Sequence, residues 1–264
     1  MRGIACCLAA LGALVTFSVA CQPSAGAVSV SVPTEIRVAK QSRSAPFPEA
    51  RLKILSPKEG ETLVSQEVTV TLSLQGFETQ GQTEGAAEKG LANSAKGQHV
   101  HIIVDNGPYM ACYDPTKPFP IGTLEQGTHL IRAFPSRSYH ESVKTEGAFA
   151  TVTFHVVKET TAPIKTTDPL LTYSRPKGEY AGAGAKQIMV DFYLSGVTIS
   201  EGGNRVRLTV DGVEQMLTEW VPYYVTGLEP GEHVFKLELL DKDDKPIAGA
   251  FNSTERKMTV KEGS

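Results

Sequence analysis

The sequence predicts an all-β chain with two tandem immunoglobulin-like (Greek-key) β-sandwich domains, preceded by a signal peptide and a flexible tether. Short segments of alternating apolar and polar residues recur between clusters of Gly, Pro, Asn and Asp, at the spacing of antiparallel strands. No segment keeps the period of an amphipathic helix. The same succession of segments occurs twice, about a hundred residues apart, which predicts one sandwich in each copy.

Six strands are predicted in each copy from this alternation. In the first copy they are Leu52 to Leu55, Val68 to Leu74, Val100 to Val104, Tyr109 to Tyr113, His129 to Phe134 and Phe149 to Val157. In the second copy they are Leu170 to Ser174, Ile188 to Leu194, Val206 to Val210, Val213 to Leu217, His233 to Leu240 and Arg256 to Val260.

The chain divides into five predicted regions. In order, they are a lipoprotein signal peptide (1–20), a flexible tether (21–50), the first sandwich (51–158), a linker (159–168) and the second sandwich (169–264). The tether is rich in Ser, Pro, Ala and Val and shows little periodicity. The linker contains Pro163 and several Thr residues.

The N-terminus predicts export to the bacterial cell envelope. The apolar run from Ile4 to Ala20 is short for a membrane span and is typical of a signal peptide. It ends in Ser18-Val-Ala-Cys21, which resembles a bacterial lipobox and predicts a lipid anchor on Cys21, with Ser18 departing from the usual apolar residue. The residues after Cys21 favour the outer membrane. Ala25-Gly-Ala27 is an alternative cleavage site, which would release a soluble protein.

Composition excludes some classes of function. The chain has 264 residues, 41% of them hydrophobic and 21% charged, which is ordinary for two globular domains. Its formal net charge is −3 and it has no long basic run, which argues against nucleic-acid binding. No nucleophile, zinc-protease or phosphate-loop motif occurs, so an enzyme is less favoured than a binding protein.

Comparison of the two copies separates the scaffold from candidate functional residues. His129 and His233 occupy the same position after a Gly-x-His turn, so we expect them to be buried and to hold that turn by hydrogen bonds to the backbone. His99 and His101 have no such counterparts, because Arg205 and Arg207 stand there. Alternation places both imidazoles on the outer face of their strand, in solvent or against the second domain.

A metal site is predicted around these two histidines. Asn106-Gly107 is typical of a two-residue hairpin turn. In that register His101 opposes Cys112 and His99 opposes Asp114, so the four side chains His99, His101, Cys112 and Asp114 share one face. Such ligands suit Zn²⁺ or Cu²⁺. A three-residue turn would shift the register by one and move Cys112 and Asp114 to the other face.

Two loops are enlarged in the first copy only. One runs from Gly76 to Gln98, and the other contains Arg137, Tyr139, His140 and Glu141. This second loop offers donors, an aromatic face and a carboxylate, so it predicts a site for a small polar or anionic ligand, or for an envelope protein. The alternative is a loop held by its own hydrogen bonds.

Three functions follow from these observations, in order of preference. The first is a non-catalytic binding protein of the envelope that uses the loops of the first domain, and the second is a structural envelope component. The third is a zinc- or copper-binding protein or metalloenzyme that uses the His-x-His strand.

A resemblance supports the envelope location. Asp105-Asn-Gly-Pro-Tyr109, Gly127-Thr-His129 through Phe134, and His140-Glu-Ser through Gly147-Ala-Phe resemble a group of bacterial exported lipoproteins that has no established activity. The resemblance covers mainly the first domain. It implies a bacterial envelope protein and carries over no functional residues.

Overall fold

The computed structural model describes residues 35–161 and 168–262. The signal peptide, Cys21, the alternative cleavage site and most of the linker lie outside the described residues. Within the part that is described, no helix combines the length and the hydropathy needed to cross a bilayer.

The described residues are almost entirely β-structure. The strands are β1 (Arg37–Lys40), β2 (Arg51–Ser56), β3 (Thr62–Leu63), β4 (Glu67–Gln75), β5 (His99–Val104), β6 (Met110–Cys112), β7 (Phe119–Thr123), β8 (Gly127–Ser136), β9 (Ala150–Val156), β10 (Leu170–Arg175), β11 (Gly178–Tyr180), β12 (Ile188–Ser195), β13 (Arg205–Val210), β14 (Val213–Leu217), β15 (Tyr223–Thr226), β16 (Gly231–Leu240) and β17 (Ser253–Val260). Two short 3₁₀ turns lie at Ala87–Lys89 and Gly182–Ala185. The all-β prediction is confirmed, and each of the twelve predicted strands overlaps an observed one.

Two β-sandwiches are built with the same topology. In the first, a sheet of order β2-β4-β7 accompanies a sheet of order β3-β9-β8-β5-β6. In the second, the corresponding orders are β10-β12-β15, extended by β1, and β11-β17-β16-β13-β14. Even the short parallel pairing of β3 with β9 recurs as β11 with β17. The sequence repeat is therefore a repeat of the whole fold.

Each sandwich has its own apolar core, supplied by alternate residues of facing strands. Val100 and Ile102 of β5 are fully buried in the first core, and Val206 and Leu208 of β13 hold the same positions in the second. Burial of these side chains is the main favourable term in folding, because each removes apolar surface from water.

Strands β5 and β13 differ on their outer faces. In β13 the residues alternate between buried and partly exposed, whereas five of the six residues of β5 are buried. The reason is that the second sandwich covers the outer face of the first. Phe134 of β8 stacks on Tyr193 of β12 with ring centroids 5.3 Å apart, and Ile103 belongs to the same apolar cluster. His99 and His101 therefore lie in a protein interior rather than in solvent.

The tether prediction for residues 21–50 is wrong for its described part. Arg37–Lys40 forms β1, which pairs antiparallel with β15 at the edge of the second sandwich, while Ile36 and Val38 pack against its core. Further along, Phe47 packs edge-to-face on Phe77 of the first sandwich at 4.8 Å. A segment of four residues is too short for alternation to predict a strand. It forms one here because the edge strand β15 has backbone groups without partners, and β1 supplies their hydrogen bonds.

Candidate metal centre

Among the described residues, His99, His101 and His140 bring one ring nitrogen each within 4.8 Å of the others. His101 Nε2 lies 3.0 Å from His99 Nε2, and His140 Nδ1 lies 3.2 Å from the same atom. We call these three residues the histidine triad. The two ligands predicted on β5 are therefore joined by a residue that was predicted for a different site.

The triad is positioned by one strand and one loop. His99 and His101 are two residues apart on β5, so both side chains leave the same face of the sheet. His140 follows β8 in a left-handed backbone conformation, with φ of +73°. Non-glycine residues rarely adopt this conformation unless the surroundings impose it, and such residues cluster at functional sites.

Hydrogen bonds orient the two rings on β5. The carbonyl of Gly97 accepts a hydrogen bond of 2.8 Å from His99 Nδ1. Because a carbonyl can only accept, Nδ1 carries the proton and Nε2 presents its lone pair to the other histidines. His101 Nδ1 lies 3.2 Å from Ser174 Oγ on β10 of the second sandwich. A partner on the far ring nitrogen is the usual arrangement for a metal-binding histidine.

Burial keeps the triad neutral. His99 and His101 have no exposed surface, and His140 is partly buried. Burial, aided by the charges of Arg175 and Lys177, lowers the pKa of His99 to about 4, against the effect of the Gly97 bond. For the same first reason, burial, the pKa values of His101 and His140 fall well below their ordinary value. Neutral imidazole is the form that binds a metal ion, so little proton displacement opposes binding at pH 7.

Tyr109 lies against the triad. Its ring stacks on His101 with centroids 3.5 Å apart and an interplanar angle of 6°, and its hydroxyl is 3.1 Å from His140 Nδ1. Burial raises the pKa of this phenol. Lys177 Nζ lies 3.9 Å above the same ring and donates a hydrogen bond of 2.7 Å to the Tyr109 carbonyl. Burial first, and then the charges of Arg175 and Arg256, lowers the pKa of Lys177 to about 8.

The structure does not bring Cys112 and Asp114 to the triad. Val100 pairs with Cys112, and His101 with Ala111, one residue away from the predicted register. Cys112 is therefore fully buried in the first core, on the opposite face from His101, where burial raises the pKa of its thiol. Asp114 lies outside the sheet in a 2.8 Å ion pair with Lys117, whose hydrogen bond lowers the pKa of that carboxyl.

The register shift has a local cause in the turn. Gly107 N donates to the carbonyl of Val104 at 2.9 Å, which places the turn one residue earlier than predicted. Asp105 has a left-handed φ of +49°, and its carboxylate accepts a bond of 2.9 Å from Leu130 N. Asp211 repeats both features in the second sandwich, with φ of +47° and a bond of 2.8 Å from Val234 N. The alternative register considered from the sequence is the one observed.

Both scaffold histidines make the predicted hydrogen bonds to the backbone, but only His233 is buried, whereas His129 is half-buried. His129 Nε2 lies 2.8 Å from the carbonyl of Glu125, and His233 Nε2 lies 2.7 Å from that of Glu229. Their Nδ1 atoms contact the carboxylates of Asp105 and Asp211 at 2.7 and 2.6 Å. This Asp and His pair holds the same turn in each sandwich.

The loop predicted to bind a ligand is occupied by the chain itself. Arg137, Tyr139 and Glu141 are 3%, 1% and 2% exposed, so each is almost entirely covered by the protein. Ser44 Oγ lies 2.6 Å from both the Tyr139 hydroxyl and Glu141 Oε2, and Arg137 donates to the carbonyl of Ala45. The segment before β2 packs into this loop, while Arg137 and Tyr139 still line a cavity of about 550 Å³ beside it. Of the four predicted residues, His140 alone contributes a ring nitrogen to the triad.

The donor set fits a transition metal. For Zn–N bonds of about 2.0–2.1 Å, neighbouring ligand atoms of a tetrahedron are about 3.3 Å apart. The two separations from His99 Nε2, 3.0 and 3.2 Å, are close to that value, and all three nitrogens lie within 4.8 Å of one another. Imidazole nitrogen suits zinc and copper, whereas calcium and magnesium prefer oxygen. The site can therefore hold one zinc or copper ion between three neutral donors.

Comparisons with known proteins reveal no family for this chain. No protein-family model matches it, and no curated protein does. Among solved structures, the fibronectin(III)-like modules of CbhA from Clostridium thermocellum are 16% identical, with 80% of this chain and 94% of that one covered and a TM-score of 0.28. Domains 4 and 5 of the S-layer protein SbsC are 13% identical, covering 87% and 98%, with a TM-score of 0.23. The D0–D1 domain of Intimin is 10% identical, covering 80% and 97%, with a TM-score of 0.27.

Proposed function

We propose that this protein is an exported, non-catalytic metal-binding protein that holds one zinc or copper ion at the histidine triad. The observation that carries the proposal is the convergence of His99, His101 and His140 on one point, with nitrogen separations of 3.0 and 3.2 Å. Buried imidazoles with a structural role are expected to bond backbone or hydroxyl groups, as His233 and His155 do. Here three rings direct nitrogen atoms at one another instead.

Burial favours a non-catalytic role. A catalytic zinc keeps a coordination position open to water or substrate, whereas a structural ion is closed in by protein. His99 and His101 have no exposed surface, and the second sandwich covers them. Storage, transfer or a structural ion agrees with this geometry better than hydrolysis does.

The envelope location is part of the proposal and is supported by the sequence. Residues 1–20 are typical of an export signal, and Cys21 is the proposed point of lipid attachment. We propose the metal ion as the ligand of this protein, instead of the small polar ligand predicted from the loops. An envelope protein that delivers or receives the ion is the proposed partner.

Metal titration of the exported, purified chain tests the proposal. We expect the wild type to bind one equivalent of Zn²⁺ or copper in competition with a chelating dye. The variant His101→Ala should lose at least a hundredfold in affinity, because two imidazoles remain. His155→Ala is the matched control, since His155 is also buried but bonds Thr128, and it should bind as the wild type does.

Two outcomes would overturn this function. One is a wild type that takes up no zinc or copper from the dye. The other is equal affinity in His101→Ala and the wild type, with circular dichroism showing both to be folded.

A further inference from the structure

A fourth donor atom lies beside the triad. The hydroxyl oxygen of Tyr109 is 3.1 Å from His140 Nδ1, and that nitrogen is 3.2 Å from His99 Nε2. We propose that Tyr109 is the fourth metal ligand, so that the ion is bound by three imidazole nitrogens and one tyrosine oxygen. This inference rests on the proposed function, because it names the remaining ligand of the same site.

The distances form a chain of tetrahedral edges. From His101 Nε2 to His99 Nε2, then to His140 Nδ1, then to the Tyr109 oxygen, the steps are 3.0, 3.2 and 3.1 Å. Each is close to the separation of about 3.3 Å expected between ligand atoms of a tetrahedral ion. They are three of the six edges of a ligand tetrahedron, and the three imidazole nitrogens all lie within 4.8 Å of one another.

The nitrogen of His140 that Tyr109 contacts indicates whether Tyr109 is a metal ligand or a group that supports the histidine ring. Supporting groups bond the ring nitrogen that faces away from the metal, as Gly97 does at His99 Nδ1 and Ser174 at His101 Nδ1. Tyr109 instead contacts the nitrogen of His140 that faces His99. Its oxygen therefore lies at the nitrogen that would bind the ion, and not behind the ring.

Burial raises the pKa of Tyr109 and so opposes a negative oxygen here, but the nearby positive charges act in the opposite direction. Lys177 Nζ lies 3.9 Å and the Arg175 guanidinium carbon 5.8 Å from the centroid of the Tyr109 ring. Within the described residues, neither cation forms an ion pair with a carboxylate. A tyrosinate would offset this positive charge, in part, together with that of the metal ion. As the metal–oxygen bond forms, the O–H bond of Tyr109 breaks and its proton leaves to solvent.

Tyr113 provides a matched comparison. Its ring also lies against the triad, with its centroid 4.9 Å from that of His99. Its hydroxyl, however, lies 2.8 Å from Ser94 Oγ, so it is used elsewhere. Removal of this hydroxyl should change neither the ligand set nor the charge of the centre.

Copper and zinc titrations of Tyr109→Phe and Tyr113→Phe test the inference. We expect the wild type with Cu²⁺ to show a visible tyrosinate-to-copper charge-transfer band. Tyr109→Phe should lose this band and bind Zn²⁺ at least tenfold more weakly, while Tyr113→Phe should keep both properties. Resonance Raman spectra of the wild-type copper adduct give an independent measurement if Tyr109→Phe does not fold, because bound tyrosinate has characteristic ring vibrations.

The inference and the proposed function fail in different ways. If the wild type binds the ion but shows neither the band nor tyrosinate vibrations, Tyr109 is not a ligand and the three-histidine site remains. An unchanged band and zinc affinity in folded Tyr109→Phe would likewise exclude Tyr109 as a ligand. If the wild type binds neither metal, the proposed function itself is overturned.

Discussion

Acidification of the metal-free protein should destabilise it through the triad. Burial holds the pKa of His99 at about 4 in the folded protein, whereas an unfolded chain has its histidine pKa near 6.5. The unfolded state therefore takes up the proton first as the pH falls. The stability that this neutral ring contributes is complete above pH 6.5 and is lost between about pH 6.5 and 4.

The magnitude for His99 follows from that difference in pKa. Two and a half pH units at 1.36 kcal/mol per unit give about 3 kcal/mol lost by pH 4. His101 and His140 change stability in the same direction, because their pKa values are also lowered by burial. The total is a large fraction of the roughly 5–15 kcal/mol by which native proteins are stable.

Urea unfolding in the presence of a chelator, at pH 7, 6, 5 and 4.5, measures this effect. We expect the free energy of unfolding of the wild type to fall more steeply than that of His99→Gln, by about 1 kcal/mol per pH unit. Titrating groups remote from His99 cancel in the difference, whereas the pKa values of His101 and His140 depend on burial first and then also on His99, because its charge lowers them. His155→Gln is the control and should follow the wild type. Parallel curves for the wild type and His99→Gln would refute the reasoning.

Three further substitutions test the site and the N-terminal segment. Cys112→Ala should leave zinc affinity within about twofold in the dye competition, because the thiol lies on the other face of its sheet, and a tenfold loss would contradict this placement. Ser44→Ala removes the hydroxyl that bonds Tyr139 and Glu141, the two neighbours of His140. We expect the free energy of unfolding in urea to fall by about 1–2 kcal/mol and zinc affinity to fall as well. An unchanged free energy and affinity would mean that this contact does not support the loop. Gly227→Ala should cost at least about 2 kcal/mol more than Gly212→Ala in urea unfolding. Both glycines have a similar left-handed φ, of +85° and +87°, but only at Gly227 would the new Cβ collide with a backbone carbonyl, that of Glu35. Equal costs would show that β1 gives way easily.

Much of the fold could be predicted because alternation marks strands that bury one face. The strand β7 was missed because Pro120 and Gly122 interrupt its pattern, although Pro is tolerated in strands at a sheet edge. The strands β1 and β3 are too short to show a period. Their hydrogen-bonding partners are distant in sequence, and local patterns carry no information about such pairing.

The site could be predicted in part because the chain is duplicated. Replacement of His99 and His101 by arginine in the second copy showed that they were not needed for the fold. The same comparison set His140 apart, since the second copy has no histidine in that loop, but it assigned His140 to a ligand-binding loop and not to the metal site. What it could not show is that the loop folds back onto β5, because that contact depends on tertiary packing.

The prediction of Cys112 as a ligand shows how one backbone angle can decide a ligand set. Side chains alternate between faces of a sheet, so a shift of one residue moves all of them to the other side. The left-handed conformation of Asp105 starts the turn early and sends the thiol into the core. Tyr109, on the same hairpin, was considered only as part of a strand, although its oxygen is now the candidate fourth donor.

The pairing of β1 with β15 also determines how the protein would respond to mechanical load. A pull on the chain ahead of Glu35 reaches the hydrogen bonds between Arg37–Lys40 and Tyr223–Thr226 first. Force would therefore pass into the second sandwich before it reached Ser44 and the loop that carries His140. The hydrogen bonds between β1 and β15 would bear the tension first, so that a pull on the N-terminal segment would not move the three imidazoles while these bonds hold.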